Sequence, residues 1–198
     1  MQSKLSKSKR IALWKQWVTV ERKIKEEMEW LRRVLDTFLE EEKAAPMGCR
    51  ECFLRRIAIL IVSGNVKAAE ITKSSSLKSF WIDRKLLTRK RKKIYHGGEW
   101  HREMMEKIES HFLCLGYRVV REPNLHHGRA DLGIFSKKGK ALYVEVGTIS
   151  FYKLWLNLEA MRNFVYLIVP DDTRLIEFRT LRSPSSIHQQ FRSGQNLK

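Results

Sequence analysis

The chain has 198 residues, 43% of them hydrophobic, which suits one domain or two small ones with a buried core. The formal net charge is +17, so we expect a polyanionic partner. The longest apolar run, residues 57–62, is too short to cross a membrane, and three cysteines do not make a disulfide framework. Residues 1–10 lead into an amphipathic stretch and do not resemble a signal peptide. We therefore expect a cytoplasmic protein without a membrane partner.

The positive charge is concentrated in the first half of the chain. Residues 1–95 contain 24 Lys and Arg against 11 acids, a net charge of +13, whereas residues 96–198 contain 15 against 11, a net charge of +4. This asymmetry predicts a basic helical domain over 1–95 and a globular domain over 96–180. The polar residues 181–198 are typical of a flexible tail.

The first predicted element is a long amphipathic helix. Apolar residues follow one another at steps of three and four, without Pro or Gly until Pro46. A dimerising coiled coil, and hence a homodimer, is one interpretation, and a helix lying across its own domain is the other. The stripe consists of Leu13, Trp17, Val20, Ile24, Met28, Leu31, Leu35 and Phe38.

Three shorter helices are predicted next, over 49–62, 65–72 and 77–93. Short helices that end in a basic helix are typical of a helix-turn-helix, although a solvated basic helix end has the same pattern. Residues 67–93 contain ten Lys and Arg against two acids, so this segment is the main candidate for contacts with the DNA backbone. The candidate DNA-binding residues here are Arg84, Lys85, Arg89, Lys90, Arg91, Lys92 and Lys93.

The cysteines give a weak signal. Cys49 and Cys52 form a lone CxxC, and a structural zinc site needs four ligands. His96 and His101 would complete such a site only by folding back. A disulfide or two thiols without a role is the alternative, and Cys114 is predicted to lie in the core.

The second half predicts a mixed sheet. A helix that Gly116 ends is followed by five strand-like segments, and a further helix over 150–163 separates the third strand from the fourth. The order is α-β-β-β-α-β with one more strand, and the second helix permits parallel pairing of the third and fourth strands. The fold class is therefore α/β. The predicted strands are 117–122, 129–135, 141–147, 164–170 and 174–180.

Two of these strands each contain one acid among apolar residues. Alternation places Asp131 on one face of its strand and Glu145 on one face of the next, and the hairpin between them can bring the two together. Adjacent carboxylates repel unless a cation neutralises them, and hard oxygen ligands suit Mg²⁺ or Mn²⁺. Gly133 and Gly147 would leave space for such a site. The alternative is two acids on the solvent side of a sheet.

The stretches "GYRVV", "RADLGIF" and "ALYVEVGT" follow a helix in this order, and this arrangement resembles the PD-(D/E)XK nuclease superfamily. Within it, the chain resembles archaeal Holliday junction resolvases and nuclease-like proteins of archaeal viruses and plasmids. The resemblance covers residues 96–180 and gives no account of 1–95. It implies a restriction-endonuclease-like sheet and metal-dependent hydrolysis of DNA.

Asp131 matches the metal-binding Asp of that family, and Glu145 matches its second acid. The family's lysine, two residues later, is replaced here by Gly147. Lys153 in the next helix could reach back to the same place, where a lysine is expected to position the attacking water.

The family's helix acid has no clear match, and Glu103 and His101 share the candidacy. Arg129 shares a face with Asp131 and is a candidate to hold a phosphate, unless it pairs with Asp131 itself. The preferred interpretation is a metal-dependent DNA endonuclease. The alternative, favoured by the missing lysine, is a non-catalytic DNA-binding protein on a nuclease-like fold.

Overall fold

A computed structural model describes residues 6–35, 50–71, 76–77, 80–81, 98–136, 141–170 and 175–181. The described residues form four helices and eight strands. The helices are α1 (Lys7–Leu35), α2 (Arg50–Val62), α3 (Glu99–Cys114) and α4 (Phe151–Ala160). The strands are β1 (Val66–Ile71), β2 (Ser76–Leu77), β3 (Phe80–Trp81), β4 (Arg118–Arg121), β5 (Leu132–Phe135), β6 (Ala141–Val146), β7 (Phe164–Val169) and β8 (Leu175–Thr180).

Six of the strands form one mixed sheet in the order β1-β8-β7-β6-β5-β4. Strands β6 and β7 are parallel because α4 carries the chain back between them, and the other neighbouring pairs are antiparallel. The predicted order of helices and strands after residue 98 and the parallel pair are confirmed, so the fold class is mixed α/β.

Helices cover both faces of this sheet. One face, with Tyr166 and Phe178, packs against α1, α2 and α4. The other face, with Leu132 and Val144, packs against α3. Strand β7 is buried along its whole length because apolar layers lie on both of its sides.

The long first helix is confirmed, but its apolar stripe has two different environments. Ile24, Met28, Leu31 and Leu35 are buried in the core, which fits the helix lying across its own domain. Residues 6–20 are exposed throughout. Phe38 lies outside the described residues. Within the described ranges, none of the helices combines the length and the apolar character that a membrane span requires.

The helix predicted over 65–72 is wrong, because Val66–Ile71 is edge strand β1. Six residue pairs join it to β8, and this tertiary pairing outweighs the helix propensity of its two alanines. The helix predicted over 77–93 is wrong at its start, where β2 and β3 form a short antiparallel pair. The helix-turn-helix therefore lacks the helix expected over 65–72. Residues 82–93 lie outside the described part of the chain.

The expectation of a separate helical domain over residues 1–95 also needs correction. Strand β1 belongs to the sheet, and α1 and α2 share one core with α4. Cys114 is exposed and not part of the core, and Cys52 is exposed as well. Cys49 and residues 182–198 of the predicted tail lie outside the described residues.

Candidate active site

A cleft of ≈ 280 Å³ opens where the start of β5, the end of β6 and the first turn of α4 meet. These ends meet because β5 and β6 are antiparallel and the chain passes from β6 into α4 after four residues. Seven charged or polar residues line it: Glu122, Arg129, Asp131, Glu145, Thr148, Ser150 and Lys153. The structure thus brings together the three residues that the sequence placed at the centre of a site.

Asp131 is held in place by the neighbouring strand. Its backbone N–H donates to the carbonyl oxygen of Val144 at 3.1 Å, and its Oδ2 accepts the backbone N–H of Val146 at 2.7 Å. The Asp131 carboxylate is therefore fixed beside β6, and it lines the same cleft as Glu145.

Glu145 is almost completely buried, with 2% of the residue exposed. Its Oε1 lies 2.7 Å from Lys153 Nζ and accepts the hydroxyl proton of Tyr166 at 2.5 Å. Burial and, to a smaller extent, the negative charge of Asp131 raise the pKa of Glu145 to about 7, against the opposing effect of the Lys153 charge. The carboxyl group therefore titrates near neutrality, and a second cation beside it would favour ionisation.

Tyr166 is a site residue that the sequence analysis missed. It lies on β7, directly beside β6, and its ring is buried. Burial and the neighbouring Glu145 carboxyl group raise the pKa of Tyr166 well above its ordinary value, so it acts as a hydrogen-bond donor. The available signal was a tyrosine inside an apolar strand, since a buried hydroxyl group needs a partner.

The position of Lys153 is fixed by the start of α4. Ser150 caps the helix, and its side-chain oxygen accepts the backbone N–H of Lys153 at 3.1 Å. Gly147, where the resemblance to the PD-(D/E)XK superfamily would place a lysine, has a φ of 90°, a backbone conformation that residues other than glycine rarely adopt. A lysine at 147 would be strained, whereas the ammonium group of Lys153 reaches Glu145 from the helix.

Asn157 is a second residue that the sequence analysis missed. It is fully buried one turn after Lys153, donates to the carbonyl oxygens of His127 and Lys153, and accepts the backbone N–H of His127. It thereby ties the loop before β5 to α4. Its signal was an Asn between Leu156 and Leu158 in an amphipathic helix, which alone does not identify a partner.

His101 and Glu103, the two candidates on α3, differ in position. His101 is buried, and its Nε2 lies 3.2 Å from Asp131 Oδ2, so the structure brings it to the site. Glu103 is partly buried and is not among the residues that line the cleft. The residue that reaches Asp131 is thus His101.

The rim of the cleft is formed by an ion pair. Arg129 Nη1 lies 3.3 Å from Glu122 Oε2, and both side chains are about two-thirds exposed. The alternative pairing of Arg129 with Asp131 was therefore not the one adopted. Gly133 does not border open space either, because a Cβ atom there would lie 2.8 Å from Pro123 Cγ. The DNA-binding candidates on residues 84–93 lie outside the described part of the chain.

Two carboxylates in the cleft have oxygen atoms of the kind that hard divalent cations bind. Asp131 and Glu145 offer carboxylate oxygens, and both donors described above reach Glu145 through Oε1 and not through Oε2. Among the described residues, no three His, Cys, Asp or Glu side chains gather as a metal-binding group. Two carboxylates suit Mg²⁺ or Mn²⁺, which keep several waters and add substrate oxygens, better than they suit zinc.

Comparisons of the chain with protein-family models, with curated proteins and with solved structures find no match. The family resemblance therefore depends on the residues and spacings themselves.

The raised pKa of Glu145 predicts a stability that depends on pH. A carboxyl group with a pKa of about 7 when folded and about 4.5 when unfolded stabilises the fold below about pH 4.5. That contribution, about 3 kcal/mol, is lost as the pH rises through about 7. Urea unfolding of the metal-free protein should show this loss, and Glu145→Gln should remove it. The rim variant Glu122→Gln should retain the wild-type pH dependence; equal pH dependence in wild type and Glu145→Gln would contradict the assignment.

Proposed function

We propose that the protein is a metal-dependent DNA endonuclease that hydrolyses phosphodiester bonds. The observation that carries the proposal is the convergence of Asp131, Glu145 and Lys153 on one cleft, from two strands and a helix. Two carboxylates next to a lysine suit phosphodiester hydrolysis. The carboxylates can hold a cation, and the ammonium group of the lysine can orient the attacking water. The net charge of +17 supports a polyanionic substrate.

Each residue has a distinct role in this proposal. Asp131 and Glu145 would hold Mg²⁺ or Mn²⁺, which when bound supplies Lewis-acid stabilisation of the phosphate and lowers the pKa of a water. Lys153 would orient the attacking water and donate to developing negative charge. Tyr166 would keep the Glu145 carboxyl group in its place, and Arg129 at the rim would receive a flanking phosphate.

The order of the elements also supports a restriction-endonuclease-like arrangement. A helix leads into three antiparallel strands, and a second helix crosses to a parallel strand, with one acid directly before the second strand of the series and the other on the third. This is the arrangement that the resemblance to the PD-(D/E)XK superfamily implies. DNA junctions and the DNA of archaeal viruses or plasmids are the substrates to which that resemblance points.

A non-catalytic DNA-binding protein on the same fold is the second candidate. It is favoured by Gly147 and by the direct contact between Lys153 and Glu145, since a buried ion pair also serves to neutralise a buried charge. In this case the cleft would hold no attacking water, and DNA affinity would not depend on a divalent cation.

A cleavage assay separates the two candidates. The purified chain is incubated with branched, linear and single-stranded DNA, each in Mg²⁺, in Mn²⁺ and in EDTA. The endonuclease proposal expects cleavage with a divalent cation and none in EDTA. Binding without cleavage of any substrate in either metal would instead support the DNA-binding protein.

The basic segment gives a prediction about affinity. Non-specific DNA binding should weaken several-fold or more when salt rises from about 50 to about 200 mM, because phosphate contacts release counterions. Replacing the five consecutive basic residues by glutamine should flatten the plot of log affinity against log salt. Exchanging each Lys for Arg and each Arg for Lys should leave that slope unchanged; an unchanged slope in the glutamine variant would exclude the segment from binding. The residues are Arg89, Lys90, Arg91, Lys92 and Lys93.

A further inference from the structure

The first half of α1 exposes an unusual amount of apolar surface. All residues from 6 to 20 are exposed, and six of them are large and hydrophobic. The two tryptophans are more than half exposed, Trp14 at 63% and Trp17 at 60%. Contiguous exposed apolar patches of this kind mark interaction sites. The other four large exposed hydrophobic residues of this segment are Ile11, Leu13, Val18 and Val20.

These six side chains occupy one side of the helix. Leu13, Trp17 and Val20 continue the stripe that is buried further along α1, at steps of four and three. Ile11, Trp14 and Val18 form a second row beside it, at steps of three and four. Together the two rows make an apolar face about half a turn wide at 100° per residue, with Ala12, Gln16 and Thr19 on the other side.

All charged residues of the same segment are basic. Residues 6–20 contain Lys7, Lys9, Arg10 and Lys15 and no acid. An exposed helical segment of this length is marginal in water without packing. A partner that covers the apolar face and also neutralises the charge would stabilise it.

We propose that this segment binds the surface of an anionic lipid bilayer and lies in the plane of the interface. Three residue types on this helix match such a surface. Tryptophan suits the headgroup boundary, aliphatic side chains suit the acyl chains, and lysine is attracted to the negative charge of the lipids. The helix would lie on the membrane without crossing it. The sequence-based expectation of no membrane partner considered only membrane-spanning runs and did not address this mode of binding.

Charge and composition favour this partner over two others. The first alternative is a second copy of the chain. Pairing of the two apolar faces would then bring together two segments that carry only positive charge. Nucleic acid would satisfy the basic residues and stack on the tryptophans, but it offers no apolar surface to Leu13, Val18 or Val20. A bilayer accommodates all of them.

Vesicle flotation tests the proposal with the full-length chain. We expect the protein to float with vesicles of phosphatidylglycerol and phosphatidylcholine, and much less with phosphatidylcholine alone. Trp14→Ala with Trp17→Ala should reduce binding at least about tenfold. Lys9→Gln with Lys15→Gln should reduce it about 25-fold, since each basic residue near an anionic surface contributes about fivefold.

Lys23→Gln with Lys25→Gln is the matched control, because these lysines are exposed on the same helix beyond the apolar face. That variant should lose far less vesicle binding than Lys9→Gln with Lys15→Gln does. All variants should unfold at the wild-type temperature, since every substituted residue is exposed. The proposal is overturned if wild type does not float or if it floats equally with neutral vesicles. It is also overturned if the tryptophan variant retains vesicle binding and instead loses self-association or nucleic-acid binding.

Discussion

Asp131→Asn and Glu145→Gln should each abolish cation-dependent DNA cleavage while DNA binding persists or becomes tighter. Each change removes one negative charge and one strong cation ligand from the cleft but keeps nearly the same shape. The amide oxygen that Asp131→Asn introduces can still accept the N–H of Val146, so the strand pair should remain intact. Tighter binding is expected because the phosphate backbone then approaches a less negative surface.

The measurement pairs two assays on each variant. Cleavage rates are followed under single-turnover conditions in Mg²⁺ and in Mn²⁺, and affinity is followed by mobility shift in EDTA. In EDTA the variants should bind DNA as tightly as wild type does, or more tightly. Isothermal titration with Mn²⁺ should show weakened cation binding in both variants.

Glu122→Gln is the matched control, since it removes the same charge from the rim of the same cleft. Its carboxyl group is exposed and pairs with Arg129, so its loss should change the cleavage rate only a few-fold. Full cleavage by Asp131→Asn or Glu145→Gln would move the active site elsewhere. A similar loss in all three variants would indicate a general effect of charge and not ligand loss.

The placement of Asp131 and Glu145 could be predicted from the sequence because it depends on short-range rules. Side chains alternate along a strand, and a short link between two strands makes them antiparallel neighbours. The apolar residues around each acid, such as Leu132 and Val144, then fix which side packs against α3. The proximity of Lys153 followed in the same way, since the helix that carries it begins a few residues after β6.

Tyr166 could not be placed by these rules. Strand β7 is buried on both faces, so its sequence has no alternation that would show which side a given residue occupies. Its contact with Glu145 also depends on the parallel register of β6 and β7, which the intervening helix sets. A periodicity argument therefore predicts the strand and not the partner of its one hydroxyl group.

Strand β1 was missed for a related reason. Its sequence, with two alanines and two charges, is as compatible with a helix as with an edge strand. What decides is pairing with β8, whose residues lie more than a hundred positions later in the chain. Long-range pairing of this kind leaves little trace in a local pattern, and it also concealed the shared core of α1, α2 and α4.

Lys153→Met should reduce the cleavage rate by about 10²–10³-fold at saturating cation, the loss typical of a single preorganised donor to developing charge. Metal binding should persist, because a lysine is not a ligand for Mg²⁺. Lys153→Arg keeps the positive charge but changes the shape and reach of the donor, so it should retain only part of the wild-type rate.

Arg129→Gln, which removes one charge at the rim, should weaken DNA binding a few-fold and leave the rate at saturating DNA nearly unchanged.

The pH profile distinguishes a role in the reaction from a role in folding. The charge of Lys153 lowers the pKa of Glu145, so its removal should raise that pKa and move the acid limb of the rate profile to higher pH. A merely structural lysine would reduce the yield of folded protein without moving that limb. If Lys153→Met cleaves as fast as wild type at pH values above the acid limb, another group orients the water, and the contact of Lys153 with Glu145 serves only to neutralise a buried carboxylate.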